Sequence, residues 1–412
     1  MSSQPLSETS DQTVQHDEIV INKHTTTNSQ KKATNTWFTA FKYAFPYYLA
    51  VHIAFAITTL FSLLFVLHDF SSNSLHFYTL WKAWARYDVA HFGYIALFGY
   101  TEWWRTAFFP LYPLLERSLF PLTKSPYVAG LIVSNIAGLV MLVVLYRLVA
   151  EDFGRKRALR TVLYLSVFPT AFFFAAAYNE SVFVCFTLLS FYSLRRGRWW
   201  LAGLFGLLAS LTRSVGILLL VPFAYEYLYQ HQFNLRKIRF DALSCVLIPT
   251  GMGLFAFYCY LKFNDALAFS HAQAVWSHIF VFPGKAYFLA LQQIGMYPLL
   301  SFPALRNLLD LTQDLFMLLP VVLCFVGPWR MPRHLLSYSL YALVSYVFLQ
   351  LFPLDHTFPL TSIPRYLLEI FPAFIVLAGM GKHRIFNLNY LFIAGALLFF
   401  CLLQFLTGHW MT

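Results

Sequence analysis

The most constraining feature of this sequence is a series of long apolar runs, the first of them at about 43–67. A run of that length carries no polar stripe for water, so it must be enclosed by lipid or by protein. The composition agrees. Hydrophobic residues make up 59 % of the 412 and charged residues 11 %, against about 45–50 % and about 25 % in soluble domains. A soluble enzyme, a disordered chain and a secreted disulfide scaffold are excluded. The runs are continuous rather than alternating, which also excludes a membrane β-barrel. The expected fold class is an all-α polytopic membrane protein.

Eleven spans fit the hydropathy, at about 43–67, 127–146, 161–177, 181–194, 199–212, 214–229, 242–261, 308–327, 335–353, 366–381 and 387–408. Several fall short of the ~20 residues that cross a bilayer, so the third to sixth are expected to be tilted or broken. Residues 1–36 are Ser-, Thr- and Gln-rich and read as a disordered cytosolic tail. The first run is too long for a cleaved leader and is expected to be a retained span. Residues 37–412 then form one multi-span domain, with long outside loops at 68–126 and 262–307.

Basic residues set the orientation. The chain has 29 Lys and Arg against 18 Asp and Glu, a formal charge of +11. With a cytosolic N-terminus, the short basic loops around Arg147–Arg160, Arg195–Arg198, Arg236–Arg239, Arg330–Arg333 and Lys382–Arg384 all fall inside. The excess is explained by membrane topology, and no nucleic-acid partner is expected. Both long loops lie outside, on the periplasmic or luminal face. The five cysteines sit within apolar stretches without metal-type spacing and read as packing residues.

Within the first outside loop, residues 81–100 read WKAWARYDVAHFGYIALFGY. On a helix over 81–95, Trp81, Trp84, Asp88, His91 and Ile95 share one face. That places an acid and a histidine among aromatics, as in an interfacial helix lying on the membrane. The plainer reading is that Asp88 caps a turn or pairs with a basic residue. FFPLYPLL follows at 108–115, and its two prolines point to a short broken or re-entrant element. Tyr178, Asn179 and Glu180 form a polar break between apolar runs, where an ionisable group is functional more often than on a soluble surface. Helix capping is the alternative for Glu180. Arg306, Asp310 and Asp314 fall four apart and read as a salt-bridge ladder rather than a metal site.

Three ordered blocks resemble the GPI mannosyltransferase 2 family and its prokaryotic relatives, membrane glycosyltransferases of the GT-C fold. They are RYDVAHFGYIALFGY with FFPLYPLL, FPTAFFFAAAYNESVF at 168–183, and WWLAGLFGLLASLTRSVGILL at 199–219. The family carries Trp more often where Tyr87 stands. Weaker similarity continues in AFSHAQAVW at 268–276 and PRYLLEIFPAF at 364–374, which look like the prokaryotic branch.

The resemblance implies a GT-C fold of about 11 transmembrane helices and a hexose donor, typically mannose, on a polyprenyl or dolichyl phosphate. The acceptor would be lipid-linked or a glycolipid, the anomeric centre would invert, and Asp88 would be the general base. In a eukaryote the reaction would be the alpha-1,6-mannosyl transfer of GPI-anchor biosynthesis, in the endoplasmic reticulum membrane. The prokaryotic-type blocks favour a bacterial or archaeal plasma membrane. Physical chemistry supplies the other roles. Arg213 and Arg365 suit the leaving phosphate. Trp84, His91, Tyr178 and Glu180 are candidate substrate contacts, and His271 is a weaker one. Arg213 could instead anchor the interface, and Arg365 could pair with Glu369 one turn on. No metal or other cofactor is expected, and no Gly-rich loop points to a nucleotide. The competing class is a transporter or flippase of lipid-linked sugars, which calls for related halves and midplane helix breaks.

Overall fold

The computed structural model describes residues 36–67, 77–354 and 357–409. The first 35 residues of the expected tail, and residues 68–76 of the expected first loop, lie outside the described residues. Among those described, the regular structure is helical, with one isolated antiparallel bridge between His278 and Leu354. This bears out an all-α chain.

The helices run in chain order α1 (Trp37–Phe61), α2 (Phe77–Lys82), α3 (Asp88–Phe98), α4 (Leu111–Thr123), α5 (Pro126–Phe153), α6 (Arg155–Ser166), α7 (Glu180–Leu194) and α8 (Trp199–Thr212). They continue as α9 (Leu220–Gln230), α10 (Leu247–Phe263), α11 (Ala268–His271), α12 (Lys285–Met296), α13 (Phe302–Leu323), α14 (Leu336–Gln350), α15 (Ile363–Tyr366), α16 (Phe371–Met380) and α17 (Arg384–Leu406). Four helical stretches are long and apolar enough to cross a membrane: Trp37–Leu67, Pro126–Phe153, Phe240–Phe263 and Arg384–Leu406. A fifth is the pair Ile363–Glu369 and Phe371–Met380, bent by 81°. Each of the eleven expected runs contains helix, yet most are shorter than a full crossing.

Length and environment account for the difference. α7 has 15 residues and α16 has 10, and nearly every side chain of both is buried. They are apolar all round because protein surrounds them on every side. α1, α10 and α17 instead turn rows of Phe, Leu and Ile outward. α5 packs against α1, α4, α6 and α7, while α7 also packs on α8, and α8 on α10. The last contact is close. A Cβ on Gly251 would lie 2.5 Å from the Leu207 carbonyl oxygen, so the two backbones meet there with no room for a side chain.

The turns that carry the expected inside loops gather at one end. Arg195 bridges Asp152 and Glu226, each at 3.0 Å, and donates to the His334 carbonyl. Arg196 pairs with Glu151, and Tyr225 donates to the Arg333 carbonyl. Basic loops far apart in sequence thus share one face of the helix bundle.

Three local expectations are corrected. Residues 81–95 are not one helix. α2 ends at Lys82 and α3 starts at Asp88, and between them Tyr87 adopts φ 52°, ψ −112°. Trp81 and Trp84 therefore do not share a helix face with Asp88. Nor is 108–115 a broken element: α4 begins at Leu111 with Pro113 in its first turn, where no intrahelical N–H is needed. The ladder of Arg306, Asp310 and Asp314 is incomplete. Arg306 Nε lies 3.9 Å from Asp310, whereas Asp314 takes a 2.8 Å bond from Gln350.

Candidate active site

Four separate segments meet at the end of the bundle opposite the basic loops. They are 86–88, 178–180, 212–213 and 364–369, and side-chain-to-backbone bonds join them. Tyr178 donates its hydroxyl to the Arg86 carbonyl at 3.1 Å. Asn179 donates to the Thr212 carbonyl at 3.1 Å, and Thr170 to the Pro364 carbonyl at 2.9 Å. Each is a buried backbone acceptor satisfied by a distant side chain, so the segments hold one another in place. The turn before α3 is further fixed by Trp84, whose indole N–H donates to Thr59, and by Arg86, which donates to the Leu406 carbonyl at 2.7 Å.

These segments bring together three carboxylates and two guanidiniums. Arg365 Nη1 lies 2.8 Å from Asp88 Oδ2, and Arg365 Nε lies 3.2 Å from Glu180 Oε1. The same Glu180 oxygen lies 3.0 Å from Arg213 Nη1, and Arg213 Nε lies 3.1 Å from Glu369. Arg213 also donates to Asn179, and Arg365 donates to the Tyr366 hydroxyl. Both cations sit over the Tyr366 ring, and Arg365 also over Phe173 and Tyr178. Such stacking suits the weakly hydrated guanidinium.

The five charged side chains differ in exposure, with Arg213 at 13 % and Glu369 at 4 %. Side-chain exposure is 22 % for Asp88, 6 % for Arg365 and 0 % for Glu180. Asp88 is the most exposed of the five. Asp88 and Glu180 are each the first residue of a helix, where free backbone N–H groups favour a carboxylate. Tyr87 and Ser362, just before α3 and α15, both adopt positive φ without being glycine. Strained backbone of this kind persists where surrounding contacts over-determine it, and it clusters at functional sites.

Asp88, Tyr178, Glu180, Arg213 and Arg365 are thus brought together. Arg365 does not pair with Glu369: the chain tightens into a 3-10 turn at Leu367–Glu369, which sends that carboxylate to Arg213. Glu369 and Tyr366 are the members that sequence reasoning missed as parts of a site, although both lie within the PRYLLEIF block.

Trp84 and His91 lie elsewhere. Trp84 packs between Phe55 and Phe405. His91, one turn beyond Asp88, stacks on Phe108 and meets Trp104 and Trp276 edge-on. Arg105 Nη1 approaches His91 Nδ1 at 3.2 Å. Burial pushes the His91 imidazole below its ordinary range, with Asp88 opposing that shift and Arg105 adding to it. His271 bonds Asp265 at 2.7 Å and is largely exposed. Among the described residues, no group of three His, Cys, Asp or Glu could hold a metal.

Comparison with known proteins agrees with the motifs. Residues 109–258 match the family described as dolichyl-phosphate-mannose-protein mannosyltransferase. The chain is 33 % identical over 144 residues to GPI alpha-1,6-mannosyltransferase 2 of Mus musculus, covering 32 % of this chain and 29 % of that one. The same protein of Cricetulus griseus matches at 29 % over 200 residues, covering 43 % and 40 %. The matched part is therefore less than half the length of these relatives. A partly similar solved structure is ArnT from Cupriavidus metallidurans bound to undecaprenyl phosphate, with TM-score 0.48 and 16 % identity over 72 % of this chain and 55 % of that chain. Another is the apo oligosaccharyltransferase of Archaeoglobus fulgidus, with TM-score 0.46 and 11 % identity over 88 % and 56 %. The resemblance to GPI mannosyltransferase 2 and its relatives is borne out by the sequence matches.

Proposed function

We propose that this integral membrane protein is a GT-C glycosyltransferase. It moves a hexose, mannose, from a polyprenyl or dolichyl phosphate to a lipid-linked or glycolipid acceptor on the periplasmic or luminal face. The observation that carries the reading is the Asp88–Arg365–Glu180–Arg213–Glu369 chain of charges, whose most exposed carboxylate abuts a buried guanidinium. The family match at 109–258, named for a dolichyl-phosphate-mannose donor, supports the donor class.

The chemistry is one displacement. The acceptor oxygen attacks the anomeric carbon and gives its proton to the Asp88 carboxylate. The bond from that carbon to the phosphate oxygen breaks, and the phosphate leaves with the electron pair toward Arg365. Attack opposite the leaving group inverts the centre. Asp88 contributes as a base within reach of the outside, and Arg365 stabilises the charge growing on the phosphate. Glu180 and Glu369 hold the two arginines in place, and Arg213 acts through Glu180. The prokaryotic-type blocks favour a bacterial or archaeal plasma membrane. In a eukaryote the reaction would be the alpha-1,6 step of GPI assembly in the endoplasmic reticulum.

The test is mannose transfer from polyprenyl-phosphate mannose to lipid acceptors by the purified protein, comparing wild type with Asp88→Asn. Turnover should fall by about 10²–10⁴ in the variant. Equal turnover would remove Asp88 from the chemistry. Donor flipping in vesicles without transfer would replace the enzyme reading with a transporter.

A further inference from the structure

We propose that Asp88 and the donor's phosphate are alternative partners of one guanidinium, Arg365, so that the donor releases the base as it binds. This rests on the donor class proposed above and concerns how the same site is regulated.

Within this ion-paired chain each arginine already faces two carboxylates. Asp88, Glu180 and Glu369 face Arg213 and Arg365. Fully ionised, three carboxylates against two guanidiniums give a formal charge of −1. A phosphodiester brought into this arrangement would meet net repulsion in a poorly screened place. It can be accommodated when one carboxylate gives up its arginine.

The geometry selects which one. Glu180 is fully buried and shared by both arginines, and Glu369 is 4 % exposed beneath Arg213. Both are enclosed by protein, so neither carboxylate can swing out toward water. Asp88 is 22 % exposed and contacts Arg365 through one oxygen at 2.8 Å. Arg365 would remain held by Glu180, by Tyr366 and by three aromatic rings after Asp88 departs. The guanidinium is the fixed element, and the carboxylate is the one that swings. Tertiary bonds hold the backbone before it, so the swing is a rotation of the Asp88 side chain alone.

One consequence is an order of binding. In the resting protein Asp88 is turned into its ion pair with Arg365. The phosphate takes Arg365, and the freed carboxylate turns toward the acceptor hydroxyl. Acceptor activation therefore waits for the donor.

The experiment measures binding of undecaprenyl phosphate to the full-length protein in lipid nanodiscs, with undecaprenol as the phosphate-free control. Wild type should prefer the phosphate. Asp88→Asn and Asp88→Ser, which remove the competitor, should each bind it about tenfold more tightly, equivalent to ~1.4 kcal/mol. Arg365→Gln should lose the preference. If both Asp88 variants bind the phosphate no better than wild type while Arg365→Gln still loses it, the competition is refuted and the donor class stands. If Arg365→Gln keeps the preference, the phosphate is held elsewhere and the proposal fails. If neither wild type nor the Asp88 variants distinguish phosphate from alcohol, the donor class falls and the competition with it.

Discussion

Replacing Arg213 with Met tests whether the chain of charges is a single unit. The change removes two contacts at once, to Glu180 at 3.0 Å and to Glu369 at 3.1 Å. Glu180 keeps Arg365, but Glu369 loses its ion-pair partner at 3.1 Å. The cluster's formal charge moves from −1 to −2 in a buried setting. Breaking a buried pair from one side costs about 3–5 kcal/mol, because the stranded charge keeps its desolvation penalty. Adding Glu369→Gln removes that charge and restores −1. The double variant should recover about 2–3 kcal/mol of the loss, the coupling expected of residues in one network. The assay is denaturant unfolding in detergent, followed by tryptophan fluorescence. A single variant within about 1 kcal/mol of wild type, or a double variant whose losses simply add, would refute the reasoning.

Other expectations follow from particular residues. Glu116 on α4 is fully buried with both oxygens unpartnered, and burial pushes its carboxyl up to about 9. A raised carboxyl favours folding below its ordinary value of 4.5, and that contribution is lost as pH rises through 9. Glu116→Gln should therefore flatten the alkaline limb of a melting-temperature profile; an unchanged limb would count against a neutral Glu116. His91 is shifted below 6.5, so its contribution is complete above that value and fades as pH falls beneath it. The drop in melting temperature between pH 7 and pH 5 should be smaller for His91→Gln than for wild type. Gly251→Ala would drive a methyl to 2.5 Å from the Leu207 carbonyl and should cost about 1–3 kcal/mol by separating α10 from α8. Wild-type stability in that variant would show that the helices can part freely.

Helix locations were legible because apolar runs mark them, and Asp88, Glu180, Arg213 and Arg365 stood out as charges at the ends of such runs. Their partners were not legible. Spacing favoured an Arg365–Glu369 pair, since residues four apart meet on an α-helix. The chain is not α-helical there, and a 3-10 turn sends Glu369 to Arg213, 156 positions away in sequence. The break before Asp88 was hidden for a related reason. Tyr87 takes positive φ without being Gly or Asn, the residues that announce such a turn. Tertiary bonds from Tyr178, Trp84 and Arg86 hold that backbone, and a local pattern does not encode them. Hydropathy does not fix the number of crossings, because it registers enclosure by protein and by lipid alike. α7 and α16 are apolar on all sides yet shorter than a bilayer is thick.

Under the proposed function, the shortness of α7 would set how deep the chemistry lies. Fifteen residues rise roughly 22 Å, against ~30 Å of hydrocarbon. With its basic-loop end at one membrane face, the Glu180 end stops about 8 Å below the other. In that orientation the charges gathered there would form the floor of a dent in the bilayer rather than a surface patch. A lipid whose headgroup already lies at that level can glide in from the side, while a sugar dissolved in bulk water must descend to meet it. Under the proposed function, membrane thickness would then be a variable of the reaction, because a thicker bilayer deepens the dent and a thinner one brings its floor closer to the water.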